Sequence, residues 1–275
     1  MRNISLNING DLPAKELIER VKIAEEAGVR EIWIGEHELF RDPVKVAKEI
    51  EYETNSEINL LLSPSRRRCS EIMKIAKKYR IALISGRSRE IKPFILCLEK
   101  VRKVADEIYA GVSGKKITEL ASKYADGLLL NYVHIKFVEW IKNFMKRNIP
   151  VSAFGPCLIL PSHFYEDLLV ASAVVMKSNS VFLKTFGLDV LSKEIPEDFS
   201  RMIRTRQAGK SIKVLPEFKP IEKYSGTLLE LFTISGSFKE VFGRISQLLK
   251  LCDNVVLGDP FFRDIDSLNS LKNFQ

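Results

Sequence analysis

The sequence predicts an α/β chain folded as a (β/α)8 barrel with a helical insertion between strands 7 and 8. Three observations carry this. Short apolar runs alternate with amphipathic helical stretches along the chain. Eight such runs fit within 275 residues, the count of a closed parallel barrel. An open doubly wound sheet, the main competitor, would show a glycine-rich fingerprint after its first strand, where only Asn9-Gly10-Asp11 stands.

The elements follow in order. Ile4 to Asn7 is an apolar strand, and Asp11 is placed to cap a helix that carries Pro13 in its first turn. Ala14, Leu17, Ile18, Val21, Ala24 and Ala27 form one helical stripe, which Gly28 ends. Glu31 to Glu36 is too short for a helix and apolar enough for a parallel strand buried on both faces. Asp42 then caps a helix reaching about Tyr52, with Pro43 at its first position. The unit repeats at Ile58–Ser63 with Arg67–Tyr79, at Ile81–Ser85 with Glu90–Val104, at Glu107–Val112 with Lys115–Tyr124, and at Gly127–Tyr132 with His134–Arg147. Val151–Ile159 is the seventh strand, and the eighth, Asn254–Gly258, follows a helix over Phe238–Leu251. A short helix near Asp266–Phe274 ends the chain. Residues from roughly 160 to 223 are too many for a plain connection and read as inserted helices. Within them Ser200–Pro220 is rich in Arg, Lys and Pro and poor in pattern, a candidate mobile segment.

Composition narrows the function. A 45% hydrophobic content supports a large core, and no stretch approaches 18 uncharged apolar residues, so a membrane span is not expected. The amino terminus enters a strand directly without a signal-peptide pattern, which points to the cytoplasm. Cys69, Cys97, Cys157 and Cys252 are far apart with no CxxC pair and read as reduced core thiols. The formal charge of +8 favours anionic partners. Its dense clusters, Arg66-Arg67-Arg68 and Arg201 to Lys213, hold no aromatic residue on which a base could stack, so no nucleic-acid partner is expected. The three histidines show no metal-ligand spacing, so no metal is expected.

One turn stands out. Strand five runs through Gly111-Val112-Ser113-Gly114 into a helix that opens with Lys115 and Lys116. Amides at the start of a helix lack intrahelical acceptors and sit at its positive end, so an anion docked between Gly111 and Lys116 would satisfy both. The same residues also suit an ordinary strand-to-helix turn with Ser113 as its cap.

Three blocks give the chain a family likeness. They are Leu12 to His37, ending Glu-Ile-Trp-Ile-Gly-Glu-His; Ile108 to Val133, with Ala-Gly-Val-Ser-Gly-Lys-Lys and Ala-Asp-Gly-Leu-Leu-Leu-Asn; and Ile234 to Gly258, with Ser-Gly-Ser-Phe-Lys-Glu-Val and Val-Val-Leu-Gly. In these the chain resembles the bacterial-luciferase-like superfamily, and within it the deazaflavin-dependent methylenetetrahydromethanopterin reductase branch. The resemblance implies a single barrel domain over residues 1–275 with an insertion before the last strand. It implies a planar ring across the carboxyl ends of the strands, from coenzyme F420 or, alternatively, flavin mononucleotide (FMN). The expected activity is hydride transfer between the deazaflavin and a small or pterin-like acceptor. A flavin monooxygenase and a non-catalytic cofactor-binding homologue are the alternatives, and a homodimer is plausible by the same analogy.

The resemblance assigns roles to particular residues. Gly111, Val112, Ser113, Gly114 and Lys115 would hold the cofactor phosphate, with Asn7 and Ser63 at strand ends beside the ring. The family carries a non-proline cis peptide in the region of Ser63. Glu36 and His37 would be catalytic. His37 follows a strand at the active face, where imidazole can exchange protons near neutral pH, and Glu36 would orient it or act as an acid-base group itself. His134 and His163 read as surface or packing residues. Deazaflavin members usually show Asp-His where this chain has Glu-His. The loop after strand three, Pro64 to Cys69, is short and basic, and the loop after strand four carries Arg87 and Arg89. These two arginines would bind an anionic substrate or a polyglutamyl tail, or else be solvated loop charges.

Overall fold

The computed structural model describes residues 3–85, 90–178 and 180–274. Arg87 and Arg89 lie outside the described residues. Eight parallel strands close into a barrel: β1 (Ile4–Ile8), β2 (Glu31–Gly35), β3 (Glu57–Leu62), β4 (Arg80–Ile84), β5 (Ile108–Val112), β6 (Gly127–Leu130), β7 (Val151–Ile159) and, after a short β8 (Ile234–Gly236), β9 (Asn254–Gly258). The seam is β1 against β9, with Ile4 opposite Val255 and Leu6 opposite Leu257. β7 is long enough to serve two partners. Its amino half pairs with β6 and β9, and its carboxyl half leaves the barrel to pair with β8, Cys157 opposite Ile234. β8 is only three residues long, too short to show a period in the sequence.

Helices α1 (Ala14–Glu26), α2 (Pro43–Ile50), α3 (Cys69–Ile75), α4 (Ile91–Val101), α5 (Lys115–Tyr124) and α6 (Ile135–Lys142) follow strands one to six. Between β7 and β8 run α7 (Tyr165–Met176), α8 (Ser180–Thr185), α9 (Asp189–Glu194), α10 (Ser200–Gln207), α11 (Lys219–Lys223) and α12 (Ser225–Phe232). α13 (Phe238–Leu248) and α14 (Ile265–Ser270) flank β9. Asp42 caps α2 as the sequence predicts, accepting from Val44 N at 2.8 Å and Lys45 N at 3.2 Å.

Three expectations are corrected. Pro13, not Asp11, occupies the cap position of α1, because Asp11 is committed to an ionic cluster described below. Ser200–Pro220 is not patternless: it holds α10 and a short 3-10 turn at Pro216–Phe218, with Met202, Ile212, Leu215 and Phe218 buried. Its sparse apolar residues are spread over short elements, so no helical stripe forms in the sequence. Cys69 and Cys97 are not reduced thiols but a disulfide joining the start of α3 to α4, with Cα atoms 5.6 Å apart. Sequence spacing is blind to this pair because antiparallel-to-strand packing of neighbouring helices brings them together. Cys157 and Cys252 are free and buried, and burial pushes the Cys252 thiol up to about 11.

Alternation along the strands sorts the barrel interior by height. At the amino end Glu31 collects hydrogen bonds from Asn59 at 3.1 Å, Arg80 at 2.8 Å, Asn254 at 3.0 Å and the Ser5 hydroxyl. This polar layer plugs that end. Above it Trp33, Leu61, Ala82, Leu129 and Val256 pack into a dry middle, joined by Tyr109 and Phe154. The last inward positions of β1, β2, β5 and β9 are Asn7, Gly35, Gly111 and Gly258, and Ser63 continues the alternation of β3. The carboxyl-end layer therefore has small residues on β2, β3, β5 and β9, with Ile84 of β4 filling the space beside Gly111.

Candidate active site

Glu36 leaves the end of β2 toward β3. Its Oε2 accepts the Ser63 N–H at 2.8 Å and its Oε1 accepts Arg67 Nε at 2.6 Å. Arg67, with a side chain 11% exposed, also reaches Glu71 at 2.9 Å and the Asp42 carboxylate. Burial raises the Asp42 carboxyl, but the hydrogen bond and charge of Arg67 outweigh it and leave the group below its ordinary value. Both Glu36 oxygens are thus engaged in holding the segment after β3, and one member of the basic 66–68 run is a semi-buried anchor.

His37 comes next. Its Nδ1 accepts the Leu39 N–H at 3.2 Å, and its ring lies tilted against Phe40 with centroids 4.7 Å apart. An imidazole nitrogen that accepts cannot carry the proton, so the neutral ring is protonated at Nε2. Asn7 is buried and donates to the Trp33 carbonyl at 3.0 Å, tying β1 to β2 just below. Ser63 is also buried, its hydroxyl 2.8 Å from that of Ser65. The peptide bonds around Ser63 are trans: the cis bonds among the described residues are Leu160–Pro161 and Asp259–Pro260.

In the Gly111–Lys115 turn the carbonyls of Ser113 and Gly114 are taken. Ser113 O accepts from the Tyr132 hydroxyl, and Gly114 O accepts from Thr118 N at 3.0 Å and Thr118 Oγ1 at 2.9 Å. Gly114, not Ser113, occupies the cap position of α5. Burial holds the Tyr132 phenol well above its ordinary value, keeping it a donor. Gly111 is glycine for a packing reason: a Cβ there would stand 2.7 Å from Ile84 Cγ2. Lys115 is exposed, its ammonium 4.9 Å from the centre of the Phe144 ring.

Sequence reasoning missed a cluster beside this site. Arg206 of α10 lies 3.1 Å from Asp11, 3.1 Å from Asp167 and 3.5 Å from Asp259. Arg263 grips both oxygens of Asp259, at 2.7 and 3.0 Å, and reaches Asp167 at 3.3 Å. These residues come from the loop after β1, the start of α7, the turn after β9 and the insertion. Asp11 and Asp259, charged residues just beyond predicted strand ends, were the available signal. His134 rests on Phe137, and its Nδ1 is buried without a hydrogen-bond partner, so burial lowers its basicity. His163 lies against Phe164, with centroids 4.0 Å apart. Two cavities lie outside the barrel interior, the second reaching Lys116 beside the Gly111–Lys115 turn. One of about 310 Å³ is lined by Lys142, Arg147 and Asp253, and one of about 290 Å³ lies between α4 and α5. Among the described residues no cluster of ligating side chains could hold a metal ion, and no helix is long and apolar enough to cross a membrane.

No family model and no curated protein matches the chain. Solved structures do. The coenzyme F420-dependent tetrahydromethanopterin reductase of Methanopyrus kandleri superposes with a TM-score of 0.75 at 16% identity, covering 98% of this chain and 97% of that one. An F420-dependent secondary alcohol dehydrogenase, in complex with an F420-acetone adduct, gives 0.62 at 12% identity over 99% and 98%. The oxygenating constituent of a Pseudomonas putida Baeyer-Villiger monooxygenase, in complex with FMN, gives 0.54 at 11% identity over 98% and 96%. Both the topology and these whole-length likenesses agree with the resemblance carried by the sequence blocks: the chain has the (β/α)8 barrel fold of these enzymes.

Proposed function

We propose that the chain is an oxidoreductase that transfers a hydride between coenzyme F420 and a small or pterin-like acceptor. The observation that carries the reading is the carboxyl-end layer of Asn7, Gly35, Ser63 and Gly111, with His37 following β2 and the first amides of α5 following a glycine cap. A planar ring fits such a layer, and a phosphate fits such amides. The names of the similar F420-dependent reductase and dehydrogenase support the choice of coenzyme, as does the net charge of +8 toward an acidic tail.

When bound, the deazaflavin supplies the hydride. The chain's own residues do the rest. The Gly111–Lys115 turn holds the phosphate, with Val112, Ser113 and Gly114 contributing backbone. Asn7 and Ser63 line the ring site. His37 handles a proton at Nε2, and Glu36 keeps the β3 segment in place through Ser63 and Arg67. Arg87 and Arg89 are the proposed substrate-binding pair.

Trp33 lies in the dry middle beneath the carboxyl-end layer, and Trp140 lies outside the barrel on α6. In a Trp140→Phe variant, titration with F420 should quench the remaining tryptophan emission, and the loaded protein should reduce or oxidise a pterin-like acceptor. If F420 produced no spectral change while FMN bound in the micromolar range, the monooxygenase reading would replace this one. Binding of F420 with no acceptor turned over, and with His37→Ala binding it equally well, would make the chain a carrier instead.

A further inference from the structure

We infer that Arg206 and Gln207, at the end of insertion helix α10, are positioning residues for His37. The inference deepens the proposed function, in which His37 handles the proton, but its first test needs no cofactor.

The contacts run in two parallel lines. Gln207 Nε2 donates to the Leu39 carbonyl at 3.0 Å, and the Leu39 N–H donates to His37 Nδ1 at 3.2 Å. The Arg206 guanidinium lies 6.0 Å from the centre of the Phe40 ring, which in turn packs against the His37 ring at 4.7 Å. Arg206 is itself fixed by Asp11, Asp167 and Asp259, three carboxylates anchored on separate parts of the barrel mouth. Arg41 fastens the same loop from the other side, its backbone N–H and its Nε both donating to the Gly10 carbonyl, at 3.2 and 3.1 Å.

These contacts hold the Leu39 backbone in place from the far side of its own N–H, and that N–H sets the tautomer of His37. A free imidazole exchanges between tautomers, and only one presents a donor at Nε2. α10 belongs to the segment between β7 and β8, far from His37 in sequence, so the insertion completes the site rather than decorating it. An angstrom of drift at a reacting group can cost about 10²-fold in rate, so a loosened loop would be read in turnover before it was read in binding.

The test is nitrogen NMR on histidine-labelled apoprotein at a pH well above the ordinary histidine range, with His37 assigned by its absence in His37→Gln. Wild type should show an unprotonated Nδ1 and a protonated Nε2. Arg206→Met and Gln207→Ala should each move the tautomer ratio toward that of free imidazole, by about threefold or more, and Arg206→Lys should restore part of it. In the F420-loaded enzyme kcat should fall about tenfold with the KM for F420 unchanged. Gln207 is exposed, so its variant carries the test if Arg206→Met does not fold. An unchanged His37 signature in folded Gln207→Ala and Arg206→Met would overturn the inference. Loss of the tautomer preference without any hydride-transfer activity in wild type would leave the positioning intact and remove the proposed function instead.

Discussion

Asp11 and Asp259 face the same two guanidinium groups, Arg206 and Arg263, yet their carboxyls are displaced in opposite directions. For Asp11, burial and the neighbouring Asp259 charge outweigh the arginines and raise its pKa. For Asp259, burial is overcome by Arg263, which grips both its oxygens, and the pKa is lowered. A raised carboxyl contributes stability that is complete below the unfolded value of about 3.9 and is lost as pH rises through the folded value. A depressed one contributes stability above about 3.9 that is lost as pH falls through the folded value. Asp11→Asn should therefore leave urea stability at pH 7 within about 0.5 kcal/mol of wild type or improve it, since surviving partners hold both arginines. Asp259→Asn should cost about 3–5 kcal/mol at pH 7, because Arg263 is left buried without its bidentate acceptor, and should flatten the acid limb of the pH–stability curve.

Arg67 binds Glu36, Asp42 and Glu71 at once. Glu36→Gln removes one of three acidic partners and should cost about 1–2 kcal/mol in chemical unfolding. Arg67→Met strands Glu36, whose side chain is 8% exposed, and should cost about 3–5 kcal/mol. Equal losses for the two variants would mean that Arg67 is not the hub of the group.

The Cys69–Cys97 bridge closes a loop with a sequence separation of 28, for which the chain-entropy model gives about 3–4 kcal/mol. A Cys69→Ser, Cys97→Ser double variant should lose about that much stability. Thiol titration in denaturant without reductant should count two groups, Cys157 and Cys252, and the folded protein should count none because both are buried. Four reactive thiols in denaturant would contradict the disulfide.

Gly111→Ala places a methyl against Ile84 Cγ2 at 2.7 Å. The β-branched side chain has little freedom at χ1 to move aside, so overpacking should cost about 1–3 kcal/mol. Ile84→Ala removes the obstructing methyl, so the double variant should be more stable than the sum of the single losses. Simple additivity would show that the glycine is needed for another reason.

Much of this architecture is present in the order of residues. Runs such as Glu31–Gly35 and Asn254–Gly258 are apolar on both faces because a barrel strand is covered by helices outside and by side chains inside, and that demand is local enough to read. The Asp42 cap is local too, since its partners are two and three residues away. The Glu36-His37 pair and the Gly111–Lys115 turn could be named from sequence because each is contiguous and ends a legible strand. What each of them touches was not legible. Arg67 looks like any residue of a basic loop until Glu36, Asp42 and Glu71 surround it. Cys69 and Cys97 meet only once α3 and α4 pack together.

The same division explains Arg206. In sequence it belongs to a basic, unpatterned stretch, and nothing within several residues explains its charge. The fold gathers Asp11, Asp167 and Asp259 around it from three other segments, tying α10 to the loops beyond the strand ends. The sequence by itself determined the barrel and the order of its strands, because periodicity and capping act over a few neighbouring positions. The tertiary structure decided which charges are anchors and which cysteines bond, because those depend on distances between segments that the chain's local pattern does not encode.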